Sequence, residues 1–175
     1  MKSTPEETCR SCGRSAAAYD TVQTSGQHGS ETLCGQCFNR RAAARMGFEF
    51  THPVFDSVTV MDALGASHRF HFRAHLAPGG LLVEGFELKG GYPGGHTFAV
   101  LGESDDDPLE LFRELLMRIR RGLARRHLRV GMHGREIGDE RTIRGRVSWD
   151  DEPDGRLPML IIDGEEVTWE DSDGC

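Results

Sequence analysis

The sequence predicts an α+β protein: a small cysteine-held module over residues 1–50, then a domain over residues 51–175 built from an antiparallel sheet and one long amphipathic helix. Three observations predict it: two C-x2-C pairs near the start, a strict two-residue alternation from His68 to Leu76, and a capped apolar stripe after Asp107. A chain of 175 residues accommodates a small module beside a core-bearing domain of roughly 120 residues. No stretch approaches the roughly 18 consecutive apolar residues of a membrane span, and Met1 to Glu7 lacks the apolar run of a secretory signal. A cytoplasmic protein without a membrane partner is therefore expected. Only Lys2 and Lys89 among the 21 basic residues are lysines, a bias expected of a bacterium with a GC-rich genome.

The cysteine pairs are Cys9-Arg10-Ser11-Cys12 and Cys34-Gly35-Gln36-Cys37, with 21 residues between them. A two-residue gap lets one tight turn present two thiolates to one ion, and two such turns complete a tetrahedral shell. Cys9, Cys12, Cys34 and Cys37 are thus expected to hold one structural Zn2+. Gly13 and Gly35 suit the positive φ of such knuckles, in which backbone N–H groups turn toward the sulfurs. An iron–sulfur cluster also accepts four cysteines. A redox C-x-x-C would be single and would open a helix in a βαβ unit, and a disulfide framework fits an exported chain. Cys175 reads as a bystander and His28 as a hairpin-tip residue.

Between the pairs, Tyr19 to Thr24 and Glu31 to Leu33 read as strands joined by the turn-rich Ser25 to Ser30. Phe38 to Met46 is a run of helix formers, starting near Cys37 and ended by Gly47 in a capping position. The order knuckle, hairpin, knuckle, helix over residues 9–47 resembles a treble-clef finger, within the zinc-ribbon-type four-cysteine fingers. The resemblance implies a fold more than an activity, since treble clefs serve in protein binding, nucleic-acid binding and enzymes alike.

In the second region, Phe70, Phe72, Ala74 and Leu76 fall on one strand face and Arg69, His71, Arg73 and His75 on the other. Val54 to Val60 is the expected hairpin partner through the turn at Gly65. Leu81 to Leu88 and Thr97 to Leu101 follow as strands around the glycine-rich loop Gly90 to Gly95, giving an antiparallel meander. A helix over about 108–128 has Asp107 as N-cap, Pro108 first, Glu110 at the capping-box position, and a stripe of Leu109, Phe112, Leu115, Leu116, Ile119 and Leu123. Residues 130–140 read as a glycine-rich loop. Thr142 to Trp149 and Leu157 to Ile162 read as strands, with Asp163-Gly164 turning into Glu165 to Trp169 as a C-terminal hairpin. Phe98 to Gly102, Arg125 to Leu128 and Ile162 to Trp169 are similar to stretches of uncharacterised bacterial proteins in which a C-x2-C finger precedes such a domain. That similarity implies no activity.

The net charge of −7 comes from residues 150–175, where ten acids face Arg156 alone, so overall charge neither supports nor excludes a polyanionic partner. Candidate anion or nucleic-acid contacts are Arg40, Arg41 and Arg45 on the finger helix, Arg69, His71, Arg73 and His75 on the strand, and Arg118, Arg121 and Arg125 on the long helix. A solvated strand face and a helix end whose cations complement the macrodipole account for the last two groups without any ligand. No G-x-S-x-G, H-E-x-x-H or G-x-x-x-x-G-K-[ST] is present, and nothing in the spacing of His68, His71, His75, His96, His127 and His133 requires them to assemble. The sequence leans away from an enzyme and toward a zinc-stabilised module with a protein partner. Nucleic-acid binding is the alternative, and a histidine-based enzyme the third.

Overall fold

The computed structural model describes residues 4–26, 29–125, 127–131, 134–137, 145–149 and 158–167. Gln27, His28, Arg126, Met132, His133, residues 138–144 (including the start of the strand expected over Thr142 to Trp149), Asp150 to Leu157, and Thr168 to Cys175 lie outside the described residues.

Strands β1 (Glu6–Thr8) and β2 (Ser15–Ala17) pair antiparallel around the first knuckle, and a 3-10 turn over Ala18–Asp20 leads into β3 (Thr21–Gly26). That strand pairs with β4 (Gly29–Cys34), and helix α1 (Gly35–Met46) starts directly from its end. Gly47, at φ 82°, caps the helix as its position predicts. The β1–β2 pair was not foreseen.

The central sheet runs β5 (Val58–Met61), β6 (Ser67–Ala77), β7 (Gly80–Lys89) and β8 (Tyr92–Gly102), each antiparallel to the next, as the meander requires. The glycine-rich stretch is shorter than expected: Lys89 pairs with Tyr92, so Gly90 and Gly91 alone make the turn and Tyr92 onward is strand. The strand expected over Val54 to Val60 pairs only from Val58. Before it, Phe55 stacks on Phe112 with centroids 4.3 Å apart, which draws the chain away from the sheet.

Helix α2 (Pro108–Leu123) is shorter than the 108–128 expectation. The Asp107 carboxylate accepts the Leu109 N–H as foreseen, whereas Glu110 pairs with Arg113. Leu111, Leu115, Ile119 and Leu123 are its buried stripe, and Leu109 is a corrected assignment at 58% exposure. Burying each such side chain contributes about 1.5–3 kcal/mol. They meet Phe70, Phe72, Ala74, Leu76, Val83 and Val100 of the sheet. The alternating face thus points where its period says.

Residues 130–140, expected as a loop, overlap the hairpin strands β9 (Leu128–Gly131) and β10 (Gly134–Ile137). The last sheet holds β11 (Gly145–Trp149), β12 (Pro158–Ile162) and β13 (Glu165–Val167), with Asp163 (φ 51°) and Gly164 (φ 75°) in the foreseen turn. No helix among the described residues is long and apolar enough to cross a membrane.

The opposite face of β6 departs furthest from expectation. Arg69, His71, Arg73 and His75 were read as solvated, and the cysteine-held module covers most of that face. Tyr19 packs on His71 at 5.7 Å and edge-on to Phe86 at 5.3 Å between centroids, and Phe38 packs edge-on to His75 at 5.6 Å. Arg73 donates to Tyr19 O and to Glu84. The molecule is therefore layered as cysteine module, sheet and helix.

Burying His75 has a measurable cost. Desolvation, aided by Arg73, lowers its pKa to about 4, and its Nε2 has no hydrogen-bond partner among the described residues. A folded-state pKa below the unfolded value means the folded state resists protonation, so stability is intact above pH 6.5 and is lost as pH falls toward 4. The full shift corresponds to roughly 3 kcal/mol. His75→Phe is expected to remove that acid-side loss between pH 6.5 and 4, read as the difference between variant and wild-type melting across the window.

Candidate metal centre

The first knuckle is closed by Cys9 N–H to Arg14 O and Gly13 N–H to Cys9 O, both 2.9 Å, and is tied to β4 by Arg10 N–H to Thr32 O. The second pair sits at a strand-to-helix junction: Cys34 ends β4 and precedes α1, and Cys37 lies in its first turn. One sulfur from each of Cys9, Cys12, Cys34 and Cys37 lies within 4.8 Å of all the others. The Cys12 and Cys34 sulfurs are 3.9 Å apart, near the ~3.8 Å edge of a tetrahedron with metal–sulfur bonds of about 2.3 Å. All four cysteines are free thiols, so the cluster is not a disulfide pair. It suits a metal ion.

Electrostatics agree. For Cys9 burial is the largest influence and opposes ionisation, but backbone N–H groups of Cys34, Cys12 and Ser11 outweigh it and lower the thiol. The Arg14 backbone N–H and then its guanidinium draw Cys12 down to about 6. Burial pushes Cys34 up to about 12, and the neighbouring sulfurs of Cys37, Cys9 and Cys12 add to the rise. Four such sulfurs do not ionise together without a cation, and a divalent ion at their centre would replace the proton that Cys34 otherwise keeps.

The residue that welds this centre to the sheet is Asn39, which sequence reasoning passed over. It is fully buried, on the same side of α1 as the small residues Gly35 and Ala43. Its Oδ1 accepts the Leu76 N–H and its Nδ2 donates to Ala74 O, both at 2.8 Å. Strand β5 ends before this stretch of β6, so the Asn39 amide takes the place of a neighbouring strand. The second Nδ2 hydrogen points to His52 Nδ1 at 2.8 Å, and burial lowers the His52 pKa, consistent with a neutral imidazole accepting there. An asparagine spaced at i+4 between two small residues was the available signal.

The other candidate residues do not converge. Arg41 pairs with Glu31, Arg40 lies 3.5 Å from the Cys37 sulfur, and Arg45 is exposed at the far end of α1. Arg69 donates to Ser57, while His71, Arg73 and His75 are taken up by the layer contact. Arg118 pairs with Glu114 and donates to Ala99 O on β8. On the α2 side, Arg118, Arg121, Arg125 and Arg146 line a groove of about 530 Å³ between β8, at Gly95 to Ala99, and strands β11 and β12. Arg121, Arg125 and Arg146 form no ion pair among the described residues.

A second cluster was not foreseen. His68, Glu87 and His96 meet at the end of the sheet beyond the last turn of α2, where Glu87 bridges both imidazoles at 2.9 Å. Strand period alone hides it, because a register shift between Phe86 and Glu87 leaves Gly95 and His96 without partners on β7. The same two contacts hold Glu87 ionised: burial opposes charge most strongly, but hydrogen bonds from His96 and His68 overcome it and bring the carboxyl to about 2.

Three domains of unknown function cover most of the chain: residues 8–49 match DUF7685, residues 51–124 match DUF7686 and residues 127–171 match DUF7713. No curated protein and no solved structure matches it.

Proposed function

We propose that the protein is a zinc-stabilised, non-catalytic binding module, cytoplasmic and bacterial, in which a treble-clef finger over residues 1–50 braces the domain over residues 51–175. The partner is a protein segment, extended and acidic. The closed four-sulfur geometry supports a fold-holding metal, since it reserves no ligand position for substrate. The observation that carries the partner is the β8 groove: among the described residues, β8 is the edge strand of its sheet and lies beside three arginines that form no ion pair. An extended peptide can add to such an edge while its carboxylates meet the arginines.

A synthetic peptide alternating glutamate with valine is the probe. Binding is expected at low salt, and the double reversal Arg121→Glu and Arg125→Glu should weaken it at least about tenfold without changing metal content. No binding at ~50 mM salt, or equal binding by the reversed variant, contradicts the reading. The same arginines favour nucleic acid as the second reading. Duplex or single-stranded DNA that binds with a steep linear salt dependence, and that displaces the peptide, would decide for it.

A further inference from the structure

We propose that His68, Glu87 and His96 form a second metal site, separate from the cysteine centre, which takes one divalent transition-metal ion and leaves a coordination position open toward a cavity. One ligand atom from each residue lies within 4.8 Å of the other two. Glu87 Oε1 is 2.9 Å from His68 Nδ1, and Oε2 is 2.9 Å from His96 Nδ1. Two imidazoles and one carboxylate are a donor set for zinc, cobalt or ferrous iron rather than for calcium or magnesium, which prefer oxygen. Nitrogen and oxygen ligands of a tetrahedral ion stand about 3.3 Å apart, so each contact between Glu87 and an imidazole needs to open by only a few tenths of an ångström to admit one.

Hydrogen-bond accounting points the same way. His68 faces carboxylates with both nitrogens, since Nε2 lies 3.4 Å from Asp62 Oδ2. A neutral imidazole carries one N–H. One of the two carboxylates therefore meets a ring lone pair; a cation bound between Nδ1 and Glu87 would take the place of a hydrogen there and leave the imidazole hydrogen to Asp62. Asp62 is itself held in place, because its Oδ1 accepts the Leu64 and Ala66 N–H groups at 2.8 Å. Carboxylate, histidine and metal in series is how ligating imidazoles are oriented.

The backbone is shaped around the same atoms. The bulge of β8 aims His96 at Glu87, with the His96 N–H donating to Oε2 at 2.8 Å. A Cβ at Gly95 would stand 2.6 Å from Glu87 Oε2, and one at Gly164 would stand 2.6 Å from His96 Nδ1. Both glycines therefore sit where a side chain would displace a ligand atom. Beyond the cluster lies a cavity of about 360 Å³, walled by Lys89, Arg125, Asp163 and Glu165, with room for water or a small ligand on the ion.

The test uses the full-length protein with its cysteine centre filled by zinc. Adding Co2+ is expected to bring total metal to two ions per chain and to give ligand-field bands without thiolate-to-cobalt charge transfer, which separates this site from the cysteines. His96→Ala and Glu87→Gln should each weaken the second ion at least about 100-fold while the first ion and the circular dichroism spectrum are retained, and Asp62→Asn should weaken it about 10–100-fold. Wild-type protein that stops at one ion overturns the proposal, whatever the variants do. A second ion bound equally well by His96→Ala also overturns it.

Discussion

Replacing Cys34 by Ser is expected to empty the cysteine centre and unfold residues 9–47. Among the described residues, the buried cluster of this module consists of Cys9, Leu33, Cys34 and Cys37, with Ala16 and Phe38 against it, so three of its four buried members are the ligands themselves. A core of that size supplies far less than the roughly 10–16 kcal/mol of apparent free energy that a structural zinc ion contributes to a finger peptide. Serine removes the thiolate at the junction of β4 and α1, where one residue both closes the hairpin and starts the helix. The loss spreads, because Tyr19 and Phe38 leave the face of Phe86 and His75 when the module opens. Metal analysis and amide exchange across residues 9–47 measure it; wild-type metal content together with wild-type melting would remove the assignment.

Asn39→Ala is expected to cost about 3–5 kcal/mol without touching a metal ligand. Two backbone groups of β6, the Leu76 N–H and the Ala74 carbonyl, lose their partner inside the protein, at about 1–3 kcal/mol each, and a cavity adds to the loss. Asn39→Leu fills the volume but leaves both groups unpaired, so it should fare little better. The signature is separable from that of Cys34→Ser: metal stoichiometry stays, while the Leu76 amide exchanges faster and melting falls. Unchanged exchange at Leu76 would show that the amide does not act as the missing strand.

Much of the fold was legible because the signals are local. The C-x2-C spacing, the period-two run from His68 to Leu76, the Asp107-Pro108 helix start and the Asp163-Gly164 turn each depend on residues a few positions apart, and each forms where it was read. The errors have one origin. Whether Val54 to Ser57 joins the sheet depends on the Phe112 ring, and whether the His71 and His75 face meets water depends on a module more than thirty residues away. The hairpin Leu128–Gly131 with Gly134–Ile137 was hidden by its glycines.

The sequence by itself determined that four thiols come as two matched pairs, that the second region alternates as a sheet, and that one helix carries an apolar stripe. Only the tertiary structure decided that Asn39 closes the open edge of β6, that His75 is buried under Phe38, and that a strand bulge gathers His68, Glu87 and His96. The physical reason is range: spacing and period are fixed by backbone geometry between near neighbours, whereas register and layer contact are settled by which distant surfaces exclude water and complete each other's hydrogen bonds.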